Sequence, residues 1–384
     1  HNAARPPLML AAVAETEEEL EGQGQIRRRL RRPVHTKAIA ERPPLRAIGT
    51  IENPATEDRL MDFARFWQAS WQRSDKYRAL PYINVILHSL ALFAVLFVQP
   101  GAAGLAACVI SYAVRMFGIT AGYHRLFSHK SYKANRVFQF IVAAIGAAAW
   151  QQGPLWWAAH HRHHHAHSDT SQDSHSPISG SFWWSHMGWV WATNQNDKTK
   201  ENLIQDLLKY PELRWLEKRH TWPGIGLILG MLLWKGLAGV LWGFVVPTVL
   251  LYHGTYLVNS VCHVQGTRRF QTSDHSRNNP WVALLTHGEG WHNNHHAIQW
   301  SCPQGLRWWE IDPTFYVLRF LSLFGITKDL KVPTKEQIEK VKVEMAAKKK
   351  VEENETFFAT PTPTKTNDLD NKVDSTGKIA TEMF

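Results

Sequence analysis

Cysteine is scarce in this sequence, whose 384 residues contain only Cys108, Cys262 and Cys302. Their spacing shows no pairing, which excludes a disulfide framework and a cysteine metal cluster and mildly favours a reducing compartment. The sequence also lacks strand-like alternation and internal repeats of solenoid length. Neither a sheet-rich nor a repeat architecture is therefore expected.

Motifs for nucleic-acid recognition are missing too, although the formal net charge is +10 and the pI is about 9.5. The basic runs at residues 27–32 and 348–350 lie outside the apolar blocks of the chain. Basic residues in such flanks favour the cytoplasmic side of a membrane and contact anionic lipid headgroups. The charge therefore predicts a membrane-lipid partner and no nucleic-acid partner.

Long apolar blocks occupy the middle of the chain. Residues 82–98 and 102–123 flank a Gln-Pro-Gly break, and each block approaches the roughly 20 residues that cross a hydrocarbon core. Residues 222–257 form a further block, interrupted near its middle by Lys235 and Gly236. We interpret these blocks as four transmembrane helices in two hairpins, which is an all-α integral membrane fold.

The two ends of the chain differ from this middle part. Residues 1–55 are rich in Pro, Glu and Arg without apolar periodicity, and residues 336–384 are charged and polar. Both compositions are typical of disordered segments, here a leader and a tail. A single membrane domain is therefore expected over residues 56–335.

Histidine is abundant, and most of the 21 histidines lie in short clusters beside the predicted membrane boundaries. In two clusters the histidines recur at i, i+3 and i+4, which places three imidazoles on one helix face. An Asn and a His at i and i+4 would also share a face, whereas a pair five residues apart fits this rule poorly. The four groups are His124 with His129, His161 with His164 and His165, Asn259 with His263, and His292 with His295 and His296.

These groups supply nine imidazoles and one amide, which is more than one tetrahedral zinc ion uses and enough for two adjacent metal ions. Imidazole binds zinc, copper, iron and nickel, so the chemistry of the site must select among them. A site at the end of a membrane hairpin faces hydrocarbon, and attack on an unactivated C–H bond needs a redox metal with O2. Iron is therefore favoured, and no catalytic residue or organic cofactor site is expected beyond the metal centre.

A single site requires all four groups on one side of the bilayer, and hence an even number of crossings between successive groups. The four predicted spans satisfy this condition. Residues 137–150 are apolar but number only 14, and a crossing there would separate the first two groups. We therefore expect a buried or interfacial helix at residues 137–150.

Aromatic residues are concentrated around the second histidine group. They suit either a membrane-interface belt or the walls of a narrow channel for an acyl chain, and the sequence leaves both open. These residues are Trp156, Trp157, Phe182, Trp183, Trp184, Trp189 and Trp191.

Five motifs, in this order, resemble those of the membrane fatty acyl desaturases of the stearoyl-CoA (delta-9) type. The resemblance covers residues 82–333. Phe127 and Asn294 replace the Trp and Tyr of the animal acyl-CoA enzymes and are closer to the bacterial and plastid acyl-lipid branch. The motifs are HRLFSH at 124–129, HRHHHAHSDT at 161–170, NSVCH at 259–263, GEGWHNNHH at 288–296 and WWEIDPT at 308–314.

The resemblance implies a helical cap on the cytosolic or stromal side that holds two iron ions. The nine histidines would be ligands, Asn259 would contribute through water, and Asp169, Asp173 and Glu289 would accept hydrogen bonds from ligand imidazoles. Family members use O2 and two electrons to introduce a cis double bond into a long-chain saturated acyl-CoA or acyl-lipid.

Electrons for such a reaction come from another protein, because these residues contain neither a His-Pro-Gly-Gly haem motif nor a cysteine cluster. An external cytochrome b5 or ferredoxin is therefore expected. The endoplasmic reticulum, the plastid and the bacterial inner membrane all suit the pattern, and so do coenzyme A, acyl carrier protein and glycerolipid as acyl carriers.

Two other functions fit part of the pattern. A histidine-box hydroxylase or alkane monooxygenase would use a similar site and return oxygen to its product. A divalent-metal transporter would spread polar residues over several spans, and the clustering of the histidines at one face argues against it.

Overall fold

The structure, a computed structural model, describes residues 79–192 and 200–359, with side chains for 82–191 and 200–351. The predicted leader, residues 1–55, and the end of the predicted tail lie outside these ranges. The described part is mostly helical, with one pair of short antiparallel strands, in which Lys133 is opposite Lys328.

The helices and strands follow one another along the chain with short connections. In the described ranges, three π-helical segments, Gly118–Ser128, Trp184–Gly188 and Leu241–Val245, and one 3-10 turn, Glu201–Ile204, adjoin the α-helices. The elements are α1 (Ala79–Phe97), α2 (Gly101–Phe117), β1 (Lys133–Ala134), α3 (Arg136–Ala147), α4 (Pro154–His167), α5 (Trp189–Ala192), α6 (Gln205–Leu208), α7 (Pro211–Glu217), α8 (Trp222–Val240), α9 (Val246–Val264), α10 (Pro280–Leu285), α11 (His292–Ala297), α12 (Pro313–Leu323), β2 (Thr327–Lys328) and α13 (Lys335–Ala359).

Among the described residues, two helical segments are long and apolar enough to cross a membrane, Gly101–Ser128 and Trp222–Val264, and a shorter apolar helix, Tyr82–Phe97, precedes the first. Large apolar side chains such as Leu92, Val109 and Leu233 are exposed on these helices. Exposed apolar surface of this extent is typical of a lipid-facing protein.

The second long segment is interrupted within α8. Lys235 and Gly236 leave the helical conformation, and Gly236 has a φ of +59°, which glycine adopts readily. A Cβ on Gly239 would lie only 2.4 Å from the carbonyl oxygen of Met231. Residues eight apart approach this closely only because the chain turns back at the interruption, where the sequence predicts a turn.

A buried arginine connects the long helices. Arg115 of α2 is 2% exposed, and its guanidinium donates to Thr248 Oγ1 at 2.6 Å and to the Phe244 carbonyl at 3.4 Å. A cation away from water needs such acceptors around it. Arg115 therefore fixes α2 against the start of α9.

A chain of imidazoles joins three further elements. His88 of α1 lies 3.1 Å from His253 of α9 (Nε2 to Nε2), and His253 Nδ1 lies 3.0 Å from His186 Nε2. His186 Nδ1 in turn lies 3.0 Å from the hydroxyl of Ser260. These polar contacts hold α1 and segment 184–188 against α9, the helix that ends beside His263.

The short apolar helix α3 has 12 residues and packs against the π-helical segment 118–128. Contact is close because glycines meet there, and a Cβ on Gly118 would lie 2.4 Å from the backbone nitrogen of Gly146. The expectation of a buried or interfacial helix at residues 137–150 agrees with this packing.

Helix α13 begins at Lys335 and covers the first part of residues 336–384, for which the composition predicts a disordered tail. Ile338 is buried against Phe270 and Ile298, and Val341 and Met345 adjoin this cluster. The apolar residues at 338, 341 and 345 lie among lysines and glutamates, so the charged composition of the segment does not indicate that one part of the helix is packed.

We expect Gly118→Ala to destabilise the protein, because the added methyl group meets backbone atoms that have little freedom to move. Such overpacking typically costs about 1–3 kcal/mol. The measurement is the melting temperature of the detergent-solubilised protein. Gly226→Ala is the matched control, since nothing lies within 4 Å of a Cβ at Gly226. Equal melting temperatures for the two variants would contradict this packing.

Candidate metal centre

Helix α4 presents the second histidine group. Pro154 occupies its first turn, and the Glu217 carboxylate accepts hydrogen bonds from the backbone nitrogens of Leu155 and Trp156. Burial raises the pKa of Glu217 to about 7, although these hydrogen bonds oppose the shift. The capped helix places His161 and His165 in one set of imidazoles and His164 in another.

A π-helix presents the first histidine group. In a π-helix the backbone hydrogen bond joins residues five apart, and the N–H of His129 donates to the His124 carbonyl at 3.1 Å. The spacing of five, which fits an α-helical face poorly, therefore brings both imidazoles to the same site. Their ring centroids are 4.7 Å apart.

The remaining groups come from the C-terminal part of the domain. His263 lies in the last turn of α9, and the short helix α11 carries His292, His295 and His296. All three histidines of α11 are at most 5% exposed. Asn259, one turn before His263, lines the adjoining cavity together with His164 and His292.

All nine predicted histidines meet in two adjacent sets, which we call set A and set B. Within each set the candidate ligand atoms all lie within 4.8 Å of one another. The sets adjoin, since the rings of His165 and His296 are 4.5 Å apart. Set A is His124, His129, His161, His165 and His295, and set B is His164, His263, His292 and His296.

Distances within set A match those between ligands of one metal ion. Nε2 atoms are 3.1 Å apart for His124 and His295, 2.9 Å for His295 and His165, and 3.0 Å for His165 and His161. Ligands at right angles around a metal, with bonds of about 2.1 Å, are about 3 Å apart. In set B, the Nε2 atoms of His263 and His292 are 3.1 Å apart.

Carboxylates fix the protonation of four of these imidazoles. Each Nδ1 lies 2.6–2.9 Å from a carboxylate oxygen, a contact that favours the tautomer with its proton on Nδ1 and its lone pair on Nε2, towards the centre. Facing lone pairs repel one another, and a cation between them removes the repulsion. The donor set therefore fits metal ions. The pairs are His124 with Glu289, His164 with Asp173, His263 with Asp169, and His296 with Asp274.

Three of these carboxylates were expected from the sequence, namely Asp169, Asp173 and Glu289. Burial alone would raise their pKa values, but hydrogen bonds from imidazoles outweigh it. His263 and His275 hold the pKa of Asp169 well below its usual range, and His164 and His175 do the same for Asp173. His124 and Arg125 lower the pKa of Glu289.

Sequence reasoning missed the fourth carboxylate, Asp274, and the polar groups that hold Glu289. Asp274 lies 2.7 Å from His296 Nδ1. Arg125 donates to Glu289 and to Asp312, and Gln304 donates to Glu289 at 2.6 Å. Arg125 lies inside the first histidine motif and Asp312 inside WWEIDPT. Their positions in these motifs could have identified them as site residues. Asp274 gives no such signal.

Two cavities with aromatic walls lie near set A and set B. Trp156, Trp157, Trp189 and Tyr256 line both the cavity beside the histidines and a second cavity, which Trp150 also lines. Of the predicted aromatic cluster, therefore, at least three tryptophans form cavity walls. Phe182 and Trp183 instead pack around His186.

Comparison with known proteins gives one family. The sequence model described as "Fatty acid desaturase" matches residues 100–322. An icosanoyl-CoA 5-desaturase of Limnanthes douglasii is 34% identical over 82% of this chain and 91% of its own length. A chloroplastic palmitoyl-monogalactosyldiacylglycerol delta-7 desaturase of Arabidopsis thaliana is 41% identical over 58% of this chain and 60% of its own. An sn-1 stearoyl-lipid 9-desaturase of Anabaena variabilis is 39% identical over 57% and 80%.

We expect Asp274→Asn to weaken metal binding by about 10- to 100-fold, because the amide accepts the His296 proton less strongly. The measurement is the metal content of purified protein after dialysis against a graded series of chelator concentrations. Asp329→Asn is the control, since Asp329 pairs with Lys133 at the exposed surface. Wild-type metal retention by Asp274→Asn would contradict a role for this carboxylate.

We also expect metal-free protein to lose stability between pH 8 and pH 5.5. Burial first, and neighbouring imidazoles second, hold the pKa values of His129, His161, His165, His292 and His295 well below their usual range. Unfolded histidines take up protons below about pH 6.5 while these folded ones stay neutral, so the unfolding free energy falls as the pH falls. The measurement is the melting temperature across this range, and a constant value would contradict the expectation.

Proposed function

The chain belongs to the fatty acid desaturase family, and on that premise we propose that it is a di-iron, O2-dependent enzyme that introduces a cis double bond into a long-chain fatty acyl group. One observation carries the proposal. Nine histidines from four separated parts of the chain converge in two adjacent sets whose ligand nitrogens face one another. This convergence adjoins a cavity with aromatic walls.

We infer that set A holds one iron ion and set B the other, with Asn259 contributing through water. Bound iron would supply the activation of O2 that removes two hydrogens from an alkyl chain. The protein residues hold the imidazoles in place. Asp169, Asp173, Asp274 and Glu289 keep the protons of their histidines on Nδ1, so that the Nε2 lone pairs stay available to the metals.

The cavity would bind the acyl chain. Trp156, Trp157 and Trp189 offer rigid apolar walls, and Gln151 and Thr255, which bond to each other at 2.7 Å, add a polar patch beside the histidines. A flexible alkyl chain must be held in one conformation if the same bond is to react each time. Filling the cavity with hydrocarbon would also exclude water from the site.

We propose four membrane crossings, by α1, by α2 with segment 118–128, and by the two halves of the segment Trp222–Val264. The reversal at Lys235 and Gly236 supports the second hairpin. Both hairpins then end on the side that holds the histidines. That side is the cytosolic or stromal one, and the active domain extends over residues 56–335.

The relatives also bear on the position of the double bond and on the acyl carrier. The relatives' names place the new bond at position 5, 7 or 9 and the acyl group on coenzyme A or on a lipid. We propose position 9, the position in the name of the Anabaena relative, on an acyl-CoA or acyl-lipid. Two electrons per turnover would come from an external carrier, cytochrome b5 or ferredoxin.

We expect expression of the chain in a desaturase-deficient host to produce a new cis-monounsaturated fatty acid, and His161→Ala to abolish it because set A loses a ligand. The measurement is gas chromatography with mass spectrometry of derivatised lipids, which also locates the bond. His167→Ala is the matched control, since His167 lies on the same helix outside both sets.

Other products would change the assignment. Hydroxylated fatty acids would favour the histidine-box hydroxylase. An unchanged lipid profile in iron-loaded cells that contain both candidate carriers, together with uptake of divalent metal, would favour the transporter.

A further inference from the structure

The two histidine sets differ in the polar groups that support them. In set B, three of the four imidazoles have a carboxylate oxygen 2.7–2.9 Å from Nδ1, and these carboxylates belong to Asp169, Asp173 and Asp274. Among the described residues, one of the five imidazoles of set A has such a contact, which joins His124 to Glu289 at 2.6 Å. The carboxylates are therefore concentrated around set B.

Two imidazoles of set A lack a polar contact at Nδ1. The Nδ1 atoms of His165 and His295 are buried, and no hydrogen-bond acceptor among the described residues reaches them. An imidazole whose Nδ1–H group donates to a carboxylate becomes a more basic metal ligand, whereas an imidazole without an acceptor gains no basicity. Each supported imidazole of set B therefore donates more electron density to a bound metal ion than His165 or His295 does.

The negative charge of the carboxylates is also compensated differently at the two sets. At set A, the buried guanidinium of Arg125 donates to Glu289 at 3.1 Å and offsets its charge. The three carboxylates of set B are at most 10% exposed, and within the described ranges no lysine or arginine forms an ion pair with them. Arg268 donates to the backbone carbonyl of Asp274, not to its carboxylate. The negative charge beside set B therefore acts on the centre with little screening by water.

We propose that Asp169, Asp173 and Asp274 tune set B to hold the oxidised metal ion, so that the iron of set B has the lower reduction potential and loses the first electron. The inference rests on the proposed function, because it requires one iron ion in each set. Negative charge and more basic ligands stabilise Fe3+ relative to Fe2+. In the half-oxidised centre, the iron of set B has given one electron to a one-electron oxidant and is Fe3+, while the iron of set A remains Fe2+.

An anaerobic redox titration of the full-length protein in detergent, loaded with 57Fe, tests the proposal. A ferrocenium salt removes one electron per chain at each step, and Mössbauer spectroscopy reports which iron is Fe3+. Asp173→Asn and Asp274→Asn each remove one carboxylate from set B, and Glu289→Gln is the matched change at set A. In each Asp variant we expect the ratio of Fe3+ to Fe2+ in set B at a given potential to fall about tenfold, which is a rise of about 59 mV in the first potential. We expect Glu289→Gln to raise only the second potential.

The comparison uses samples that retain two iron ions per chain. Asp274 lies in a loop with exposed neighbours, so its variant keeps the test decisive if Asp173→Asn does not fold. Equal potentials for the two ions would overturn the proposal, and so would loss of the first electron from the iron that responds to Glu289→Gln. Wild-type potentials in the Asp variants would overturn it as well. If the wild-type protein bound fewer than two iron ions or produced no unsaturated lipid, the proposed function would fail first, and the inference with it.

Discussion

The structure depends on one electrostatic constraint, which is that imidazole lone pairs are brought face to face in a buried space. Nε2 atoms of His129 and His161 lie 2.8 Å apart, and several other pairs in set A and set B are almost as close. Without a cation such an arrangement is repulsive. Four carboxylates keep it from relaxing into imidazole-to-imidazole hydrogen bonds, because they hold the protons of four rings on the opposite nitrogen. The two histidine sets are therefore compatible with positive charge at their centres, which bound metal ions would supply.

Different kinds of helix position the imidazoles in the different histidine groups. An α-helix suffices where histidines recur at i, i+3 and i+4, as on α4 and α11. A π-helix is needed for His124 and His129, and such segments are frequent at functional sites. Arg115 and the imidazole chain from His88 to His186 fix the apolar helices to α9, the helix that carries His263.

Sequence patterns predicted the helical class, the family, the histidines that share one helix face and three of the four carboxylates that contact imidazole Nδ1 atoms. Local spacing and motif order determine these features. The spacing of His124 and His129 could not be interpreted, since a π-helix has no simple sequence signature. Asp274 was missed because its role arises from contact between distant segments, across 22 residues of chain. The charged composition of α13 did not indicate a helix. Whether the tryptophans form a membrane-interface belt or cavity walls depends on their positions in the folded chain, which the sequence does not give.

The central claim is that the nine histidines hold two metal ions, and the most direct measurement is a titration of metal-free protein with Fe2+ under anaerobic conditions, followed by Mössbauer spectroscopy of the 57Fe-loaded sample. The account predicts two equivalents of tightly bound iron per chain in two distinct nitrogen-rich environments, with His129→Ala disturbing one environment and His296→Ala the other. Binding of a single equivalent, or identical spectral changes in both variants, would contradict it.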